Sequence, residues 1–178
     1  MNIVNQVDHR GENMFSIGDT VFYSAQGICS IEEIKEQKFG KEKQLYYTLR
    51  SHHNPNLTLY HPVNTDDSKL KRLMTKEQAV SVLQCFENIA DPWDEKTNVR
   101  SHAYQATISS ENHLKIAQMA NTLLRRRTEL ETIDKKLPVQ DAQVLQRVTT
   151  ILYEELATAL NTTASNISDQ IDEIIEKN

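Results

Sequence analysis

Histidines and cysteines are the side chains of this sequence with the widest chemical repertoire. His52, His53 and His61 fall within ten residues of one another, which raises the question of a metal site. No cysteine or acidic residue completes a ligand set around them, so we predict neither a metal nor a cofactor. Cys29 and Cys85 lie far apart among apolar residues, a setting typical of small buried hydrophobes.

Motifs that mark common catalytic centres are missing from the sequence. It contains no phosphate-cradling glycine pattern, serine nucleophile elbow, HExxH or dinucleotide fingerprint, and its four glycines are few for a ligand-gripping loop. Acidic pairs such as Glu154-Glu155 and Asp172-Glu173 fall where solvated helix faces are expected. We therefore predict that the protein is not an enzyme.

The densest basic cluster is Arg125, Arg126 and Arg127, and Arg100 and Lys115 are expected on neighbouring surface. Such a cluster can contact the phosphates of nucleic acid. Cations are also favoured in the last turn of a helix, where they offset the helix dipole. The sequence leaves these two interpretations equally open.

Trp93 is the only tryptophan and directly follows Pro92. A tryptophan at such a position is more often packed than exposed. An exposed one could instead insert as a wedge between base steps of DNA or contact a partner. Trp93 is therefore a candidate DNA-binding residue with a structural alternative.

The charge of the chain is unevenly distributed. The whole sequence carries a net charge of −5, whereas residues 14–73 carry +1 and residues 74–178 carry −5. Phosphate binding is driven by lysine and arginine, so this balance argues against strong nonspecific affinity for nucleic acid. Any contact with DNA must come from a local patch.

Residues 14–73 read as short strands separated by turn residues. β-branched and aromatic residues concentrate at 20–23, 28–34 and 45–49, and alternation at 57–60 predicts one more half-buried strand. About five strands in so short a segment favour a small β-barrel. Residues 1–13 are polar and without periodicity, so we expect a disordered extension and hypothesise that Met14 is the natural start.

Residues 74–178 carry helical start signals instead. Thr75 and Gln78 form a capping box, Asp91-Pro92 predicts the start of a second helix, and Ser110 and Pro138 precede a third and a fourth. Apolar residues recur at three- and four-residue steps in the last helices. The sequence thus predicts an α+β protein with an all-helical bundle as its second domain. No segment is apolar enough to span a membrane, and we expect a cytoplasmic protein.

Several ordered motifs give the sequence a family resemblance. Residues 14–23 (MFSIGDTVFY) with 26–28 (QGI) resemble the opening of the CarD/CdnL family of bacterial transcription regulators, an opening shared with the polymerase-interacting domain of transcription-repair coupling factors. Residues 46–49 and 57–63 resemble the central hairpin of the family. Residues 122–126 and 151–157 resemble two helices of its second domain.

The resemblance implies a Tudor-like (SH3-like) barrel at 14–73 that binds the β subunit of RNA polymerase, and a helical domain at 74–178 directed at promoter DNA. In the family, the barrel presents a strand edge to the polymerase. By position, the docking surface is expected at Gln37, Leu57, Thr58, Leu59, Tyr60 and His61.

Two departures from the family pattern concern these contacts. Members of the family place arginines at the positions aligned with Gln37 and Tyr60. Some also carry a tryptophan four residues before a tyrosine of the second domain, where this chain has Arg100 before Tyr104. The contact with the polymerase must therefore use different chemistry, and the contact with DNA is expected to be weak and to depend on tethering to polymerase.

The function predicted from the sequence is regulation of transcription initiation by a monomer without catalysis, most plausibly through stabilisation of the open promoter complex. The alternative is a free-standing protein that binds nucleic acid without polymerase. The near-neutral barrel, which lacks a basic stripe interleaved with aromatic residues, argues against that alternative.

Overall fold

A computed structural model describes residues 15–24, 26–39, 42–65 and 69–177. The chain divides into two compact units, Met1–Leu73 and Met74–Asn178. The first unit contains strands and the second contains helices, which confirms the predicted α+β class. The predicted disordered extension at 1–13, and Met14 after it, lie outside the described residues.

The first unit is one antiparallel sheet with the strand order β4-β3-β2-β1-β5. Strand β2 is longer than the sequence pattern predicted, because its second half pairs with β3 in a long hairpin that no local apolar alternation marks. The ladders leave β4 and β5 as the two edge strands. The five strands are β1 (Thr20–Tyr23), β2 (Gly27–Phe39), β3 (Glu42–Ser51), β4 (Thr58–Pro62) and β5 (Leu70–Arg72).

The sheet buries one face against its own apolar side chains. Successive side chains in a strand point to opposite faces, so Tyr47 and Leu49 of β3 share a face and both join this core. A bulge in β2 between Ile31 and Glu33 shifts the register there by one residue. The fully or nearly fully buried core residues are Val21, Cys29, Ile31, Tyr47 and Leu49.

The second unit is a set of five α-helices with a short 3₁₀ helix (Cys85–Glu87) after the first. The Thr75–Gln78 capping box predicted from the sequence is confirmed, since each side chain bonds the backbone N–H of the other. The predicted apolar faces of the last helices are also buried, for example Leu152 and Leu156, and Ile167 and Ile171. The helices are α1 (Lys76–Gln84), α2 (Thr97–Ser109), α3 (His113–Glu131), α4 (Val139–Leu160) and α5 (Ala164–Lys177).

One predicted helix start is wrong, and the next one is confirmed. The second helix begins at Thr97 and not at Asp91-Pro92. Residues 88–96 are irregular chain, and the Asp91 N–H donates to the Thr122 hydroxyl of α3 at 2.9 Å. The third helix follows Ser110 as predicted; it begins at His113, with the Asn112 side chain as its cap.

Candidate functional site

Strand β4 is an edge strand, and its side chains alternate between the core and the opposite face. Leu59 lies opposite Leu49 and packs against the sheet core. His61 is 4% exposed and meets the Tyr23 ring edge-on at a centroid distance of 5.6 Å. Tyr60 lies opposite Thr48 on the other face and is 44% exposed. Of the predicted docking residues on β4, Tyr60 is thus the large side chain presented to solvent.

Tyr60 belongs to a row of side chains that crosses three strands. Thr48 pairs with Tyr60 on one side and with Glu33 of β2 on the other. Two residues further along β2, Lys35 forms an ion pair with Glu33, and two further again lies the half-buried Gln37. The structure therefore brings Gln37 and Tyr60 to one face of the sheet, separated by an ion pair.

Charged groups flank Tyr60 along the strands. Arg50 donates two hydrogen bonds to the Glu32 carboxylate, at 3.0 Å and 2.9 Å, and these bonds lower the pKa of Glu32. The bond to Glu33 raises the pKa of Lys35, and the Coulombic interaction with Tyr60 adds to that rise. The pKa of Arg50 is also raised, mainly by the bond to Glu32 and to a smaller extent by the Coulombic interaction with Tyr60. The phenol therefore lies within electrostatic reach of two cations, each already paired with a carboxylate.

In the middle of the sheet face that carries Tyr60, the side chains of β3 are buried. Tyr46 is 7% exposed and Thr48 is 5% exposed, although both point away from the sheet core. The Gln44 amide donates to the Tyr46 hydroxyl at 2.6 Å, and within the described residues the Thr48 hydroxyl has no hydrogen-bond partner. A preformed, polar and aromatic surface beside a sheet edge suits binding of another chain.

In the helical unit, the prediction that Arg100 lies on the surface is wrong. Arg100 is 6% exposed and binds the Asp141 carboxylate in a bidentate pair, at 2.9 Å and 2.7 Å. Tyr104 donates to the same carboxylate at 2.7 Å, and Arg100 also donates to the Asp94 carbonyl at 2.8 Å. The donors of Arg100 thus bond internal partners, and we no longer include Arg100 among the candidate DNA-binding residues.

The Asp141 charge is stabilised within this network. Burial alone raises the pKa of Asp141, but the hydrogen bonds from Arg100 and Tyr104 outweigh burial and lower it. Asp141 also lies in the first turn of α4, where the helix dipole favours an anion. The pKa of Arg100 is raised, first by its bond to Asp141. Both partners therefore stay ionised across the physiological range.

Trp93 is held between the network and α3. The guanidinium of Arg100 lies 4.4 Å from its ring centroid, that of Arg126 lies 5.2 Å away, and the ring packs against the helical core. Two cation–π contacts stabilise an indole in one place. This geometry favours the packed interpretation of Trp93 over the wedge.

The arginine cluster lies in the body of α3. Because α3 continues to Glu131, the cluster precedes the last turn, and the interpretation as a helix-end cluster is wrong. Arg125 donates to the Phe86 carbonyl at 2.9 Å, and Arg126 pairs with Glu129 at 3.0 Å. Arg127 lies 3.7 Å from the Asp172 carboxylate, whereas Lys115 is an exposed residue of the first turn. Much of the positive charge of the cluster is therefore compensated locally.

One polar stripe of α3, absent from the sequence prediction, positions the irregular chain before α2. Gln118 donates to the Ile89 carbonyl at 3.0 Å, and Asn121 donates to the Asn88 carbonyl at 2.9 Å. Thr122 and Arg125 complete the stripe, at the three- and four-residue spacing of one helix face. That spacing is visible in the sequence and could have indicated a polar seam. Nothing local marks Asp141 as the partner of Arg100, 41 residues away.

The histidines predicted not to bind metal have other contacts, and no metal cluster is seen in the described ranges. His52 bonds the Ser30 hydroxyl at 2.7 Å, while His61 is buried beside Tyr23. Among the described residues, no group of three or more His, Cys, Asp or Glu side chains is arranged to hold a metal. Within those same ranges, no helix is long and apolar enough to cross a bilayer. The described residues thus form a sheet with an edge strand beside a largely closed face, followed in the sequence by a helical unit with an internal ion pair.

Comparison with known proteins identifies the family. The family described as CarD-like/TRCF RID domain matches residues 15–74, and the family described as CarD, C-terminal domain matches residues 81–172. A Bacillus subtilis (strain 168) protein named "Putative transcription factor YdeB" is 26% identical over 148 residues, covering 80% of this chain and 90% of that relative. The chain belongs to the CarD family of non-enzymatic transcription factors and has the architecture of an RNA polymerase-interacting domain followed by the CarD C-terminal domain. The resemblance predicted from the sequence is confirmed.

Proposed function

We propose that this protein regulates transcription initiation by binding the β subunit of RNA polymerase through strand β4, and that its helical unit stabilises the open promoter complex. Membership of the CarD family supports an interaction with RNA polymerase. The observation that carries the assignment to β4 is its position at the sheet edge with Tyr60 presented to solvent. An edge strand offers backbone hydrogen bonds to an added strand, and alternate side chains set the register.

The side chains of the docking surface divide into two roles. Leu59 and His61 face the sheet core, so they fix the shape of β4 and do not meet the partner. Thr58 and Tyr60 alternate with them on the opposite face, and Gln37 lies further along that face. Tyrosine supplies a large, rigid contact with a polar end at low entropic cost. Tyr60 thus takes the central place in the proposed contact.

Contact with promoter DNA is proposed for Lys115 and for the solvent-facing parts of Arg126 and Arg127. Glu129 and Asp172 compensate the two arginines, so their attraction for phosphate is reduced. A contact this weak becomes effective when docking on polymerase holds the helical unit at millimolar-scale local concentration, on the order of 10⁻³ M. Promoter binding without polymerase should accordingly be poor.

The test is binding of the full chain to purified polymerase β subunit, compared with Tyr60→Glu. Placing a carboxylate at the centre of the interface should cost about 2 kcal/mol or more, equivalent to roughly thirtyfold in Kd. Ile17→Glu is the matched control, since Ile17 is 63% exposed in the same unit but lies before β1. The control should bind like the parent protein.

Equal affinity of the Tyr60→Glu and parent chains, with unchanged circular dichroism, would contradict the assignment to β4. Loss of binding in both variants would point to general repulsion of acidic charge. If the parent chain fails to bind polymerase but shifts promoter DNA in a salt-dependent way, the free-standing nucleic-acid interpretation is correct.

A further inference from the structure

A groove of about 570 Å³ lies in the helical unit between α2, α3 and the irregular chain before α2. Its lining is mainly apolar and includes Pro92, Trp93, Val99, Leu114 and Met119. This volume falls within the range typical of pockets that bind ligands or side chains. The groove contains none of the residues proposed to dock on polymerase.

Large apolar side chains are exposed in this groove. Val99 is 42% exposed and Leu114 is 48% exposed, and both line it. Ile89, which is 86% exposed, lies two residues before the lining residue Asp91. Single exposed apolar residues are common on protein surfaces, but a contiguous apolar patch with a polar rim marks an interaction site.

The walls of the groove are held in place without an occupant. The polar stripe of α3 fixes one wall, because Gln118 bonds both the Ile89 carbonyl and the Asp91 carboxylate. The Arg100–Asp141 pair fixes α2, whose only fully buried side chain is Arg100. A preformed groove loses little conformational entropy when it binds.

One side of the groove is acidic. Residues 87–95 contain four carboxylates and no lysine or arginine. Asp91 and Asp94 are exposed and line the groove, whereas Asp141 compensates the positive charge of Arg100. Lys115 is the other cation of the described lining. The carboxylates of Asp91 and Asp94 attract cations to their side of the groove.

We propose that this groove binds a protein segment in which an apolar side chain is flanked by lysine or arginine. The apolar anchor fills the space among Trp93, Val99 and Leu114, and the flanking cations meet the carboxylates of Asp91 and Asp94. The site would give the helical unit a second protein partner, independent of β4, and it shares only Lys115 with the proposed contact with DNA.

Selection from a random library of short phage-displayed peptides on the full chain tests the proposal without presupposing a sequence. Counter-selection against Leu114→Lys removes peptides that bind elsewhere. We expect the recovered peptides to combine an apolar residue with neighbouring lysine or arginine. Synthetic copies are then titrated by the fluorescence of Trp93, which reports on the groove because it is the only tryptophan of the chain.

Three variants separate the groove from nonspecific attraction. Leu114→Lys should weaken peptide binding at least about tenfold, and Asp91→Asn with Asp94→Asn should do the same. Asparagine keeps the acceptor oxygens that bond Gln118 and the Lys96 N–H, so the local fold should survive. Ile133→Lys is the matched control, 58% exposed and outside the groove lining, and should bind like the parent chain.

Three results would overturn the proposal. The first is a selection that enriches no peptide, or only acidic peptides. The second is equal peptide affinity in the Leu114→Lys and Ile133→Lys variants. The third is displacement of the peptides by a promoter duplex with the same change in Trp93 fluorescence, which would make the groove a nucleic-acid site. Loss of polymerase binding by Tyr60→Glu has no bearing on these measurements, so the two proposals fail separately.

Discussion

Removal of one partner of the buried ion pair between Arg100 and Asp141 should cost the helical unit more stability than breaking any charged contact on its surface. Arg100→Met removes both bonds to Asp141 and the bond to the Asp94 carbonyl, and leaves a carboxylate that is 1% exposed with Tyr104 as its remaining side-chain donor. Removing one partner of a buried pair costs about 3 to 5 kcal/mol. Surface pairs are worth about 0 to 1 kcal/mol.

The magnitude can be checked against the total stability expected of a domain. The free energy of unfolding of a domain is about 5 to 15 kcal/mol, so Arg100→Met should remove a large part of the stability of the helical unit. Asp141→Leu should cost a similar amount, because it leaves the buried guanidinium without its carboxylate partner. The double variant leaves no unpaired charge and should be more stable than either single variant. We therefore expect a coupling energy of at least about 2 kcal/mol.

Urea denaturation followed by circular dichroism measures the four free energies of this cycle. Fluorescence of Trp93 provides a second probe, but Arg100 contacts the indole, so its native signal will change in the variants. Arg126→Gln, which breaks a surface pair with Glu129, is the control and should cost less than about 1 kcal/mol. Two results would refute the predicted role of the pair. The first is a cost under about 1 kcal/mol for Arg100→Met or Asp141→Leu alone, and the second is a double variant whose cost equals the sum of the two single costs within about 0.5 kcal/mol.

Three further predictions concern the same residues and the sheet core. The pKa of Asp141 is lowered in the folded state, so its contribution to stability is present above about pH 4, the ordinary carboxyl range, and is lost as the pH falls through the folded-state pKa. When the unfolding free energy is measured at decreasing pH, Asp141→Asn should therefore show a smaller decline than the parent chain. Equal declines would contradict the assignment. Arg125→Lys keeps the charge but cannot reproduce the bonds to Asn121 and the Phe86 carbonyl. Urea denaturation should therefore show that the free energy of unfolding falls by about 1 to 2 kcal/mol. An unchanged midpoint of urea denaturation would argue for a phosphate-binding role of Arg125. Burial raises the pKa of the Cys29 thiol to about 11, so a maleimide at neutral pH should label Cys29 only in denaturant. Mass spectrometry locates the adduct. Rapid labelling of Cys29 in the native chain would contradict the prediction and show that the sheet core opens easily.

Local patterns in the sequence were sufficient for much of the fold. The Thr75–Gln78 capping box predicted the start of α1, because both of its hydrogen bonds lie within one helical turn. The apolar periodicity after Pro138 predicted the buried face of α4, including Leu145 and Val148. Alternation at residues 57–60 predicted the half-buried strand β4, because side chains of a strand repeat every two residues.

The candidate sites depended on contacts that local patterns do not carry. Asp91-Pro92 has the form of a helix start, yet the segment is irregular and its Asp91 N–H bonds Thr122, 31 residues away. A single hydrogen bond and a helix-capping preference are each worth about 1 kcal/mol, so tertiary contacts can override a local start signal. For the arginine cluster, the pair of Arg126 with Glu129 follows helical spacing, whereas the Phe86 and Asp172 partners lie on other elements and no local pattern marks them.

The sequence by itself determined the class of the protein: a family resemblance in ordered motifs, a strand-rich first unit and a helical second unit. These features follow from residue preferences and short periodicities, which act over a few residues. Only the tertiary structure decided which charged side chains face solvent. Arg100 is buried because Asp141, 41 residues later, supplies a geometrically matched carboxylate in a low-dielectric site. Tyr60 is exposed because β4 pairs with β3 on one side and forms the sheet edge on the other.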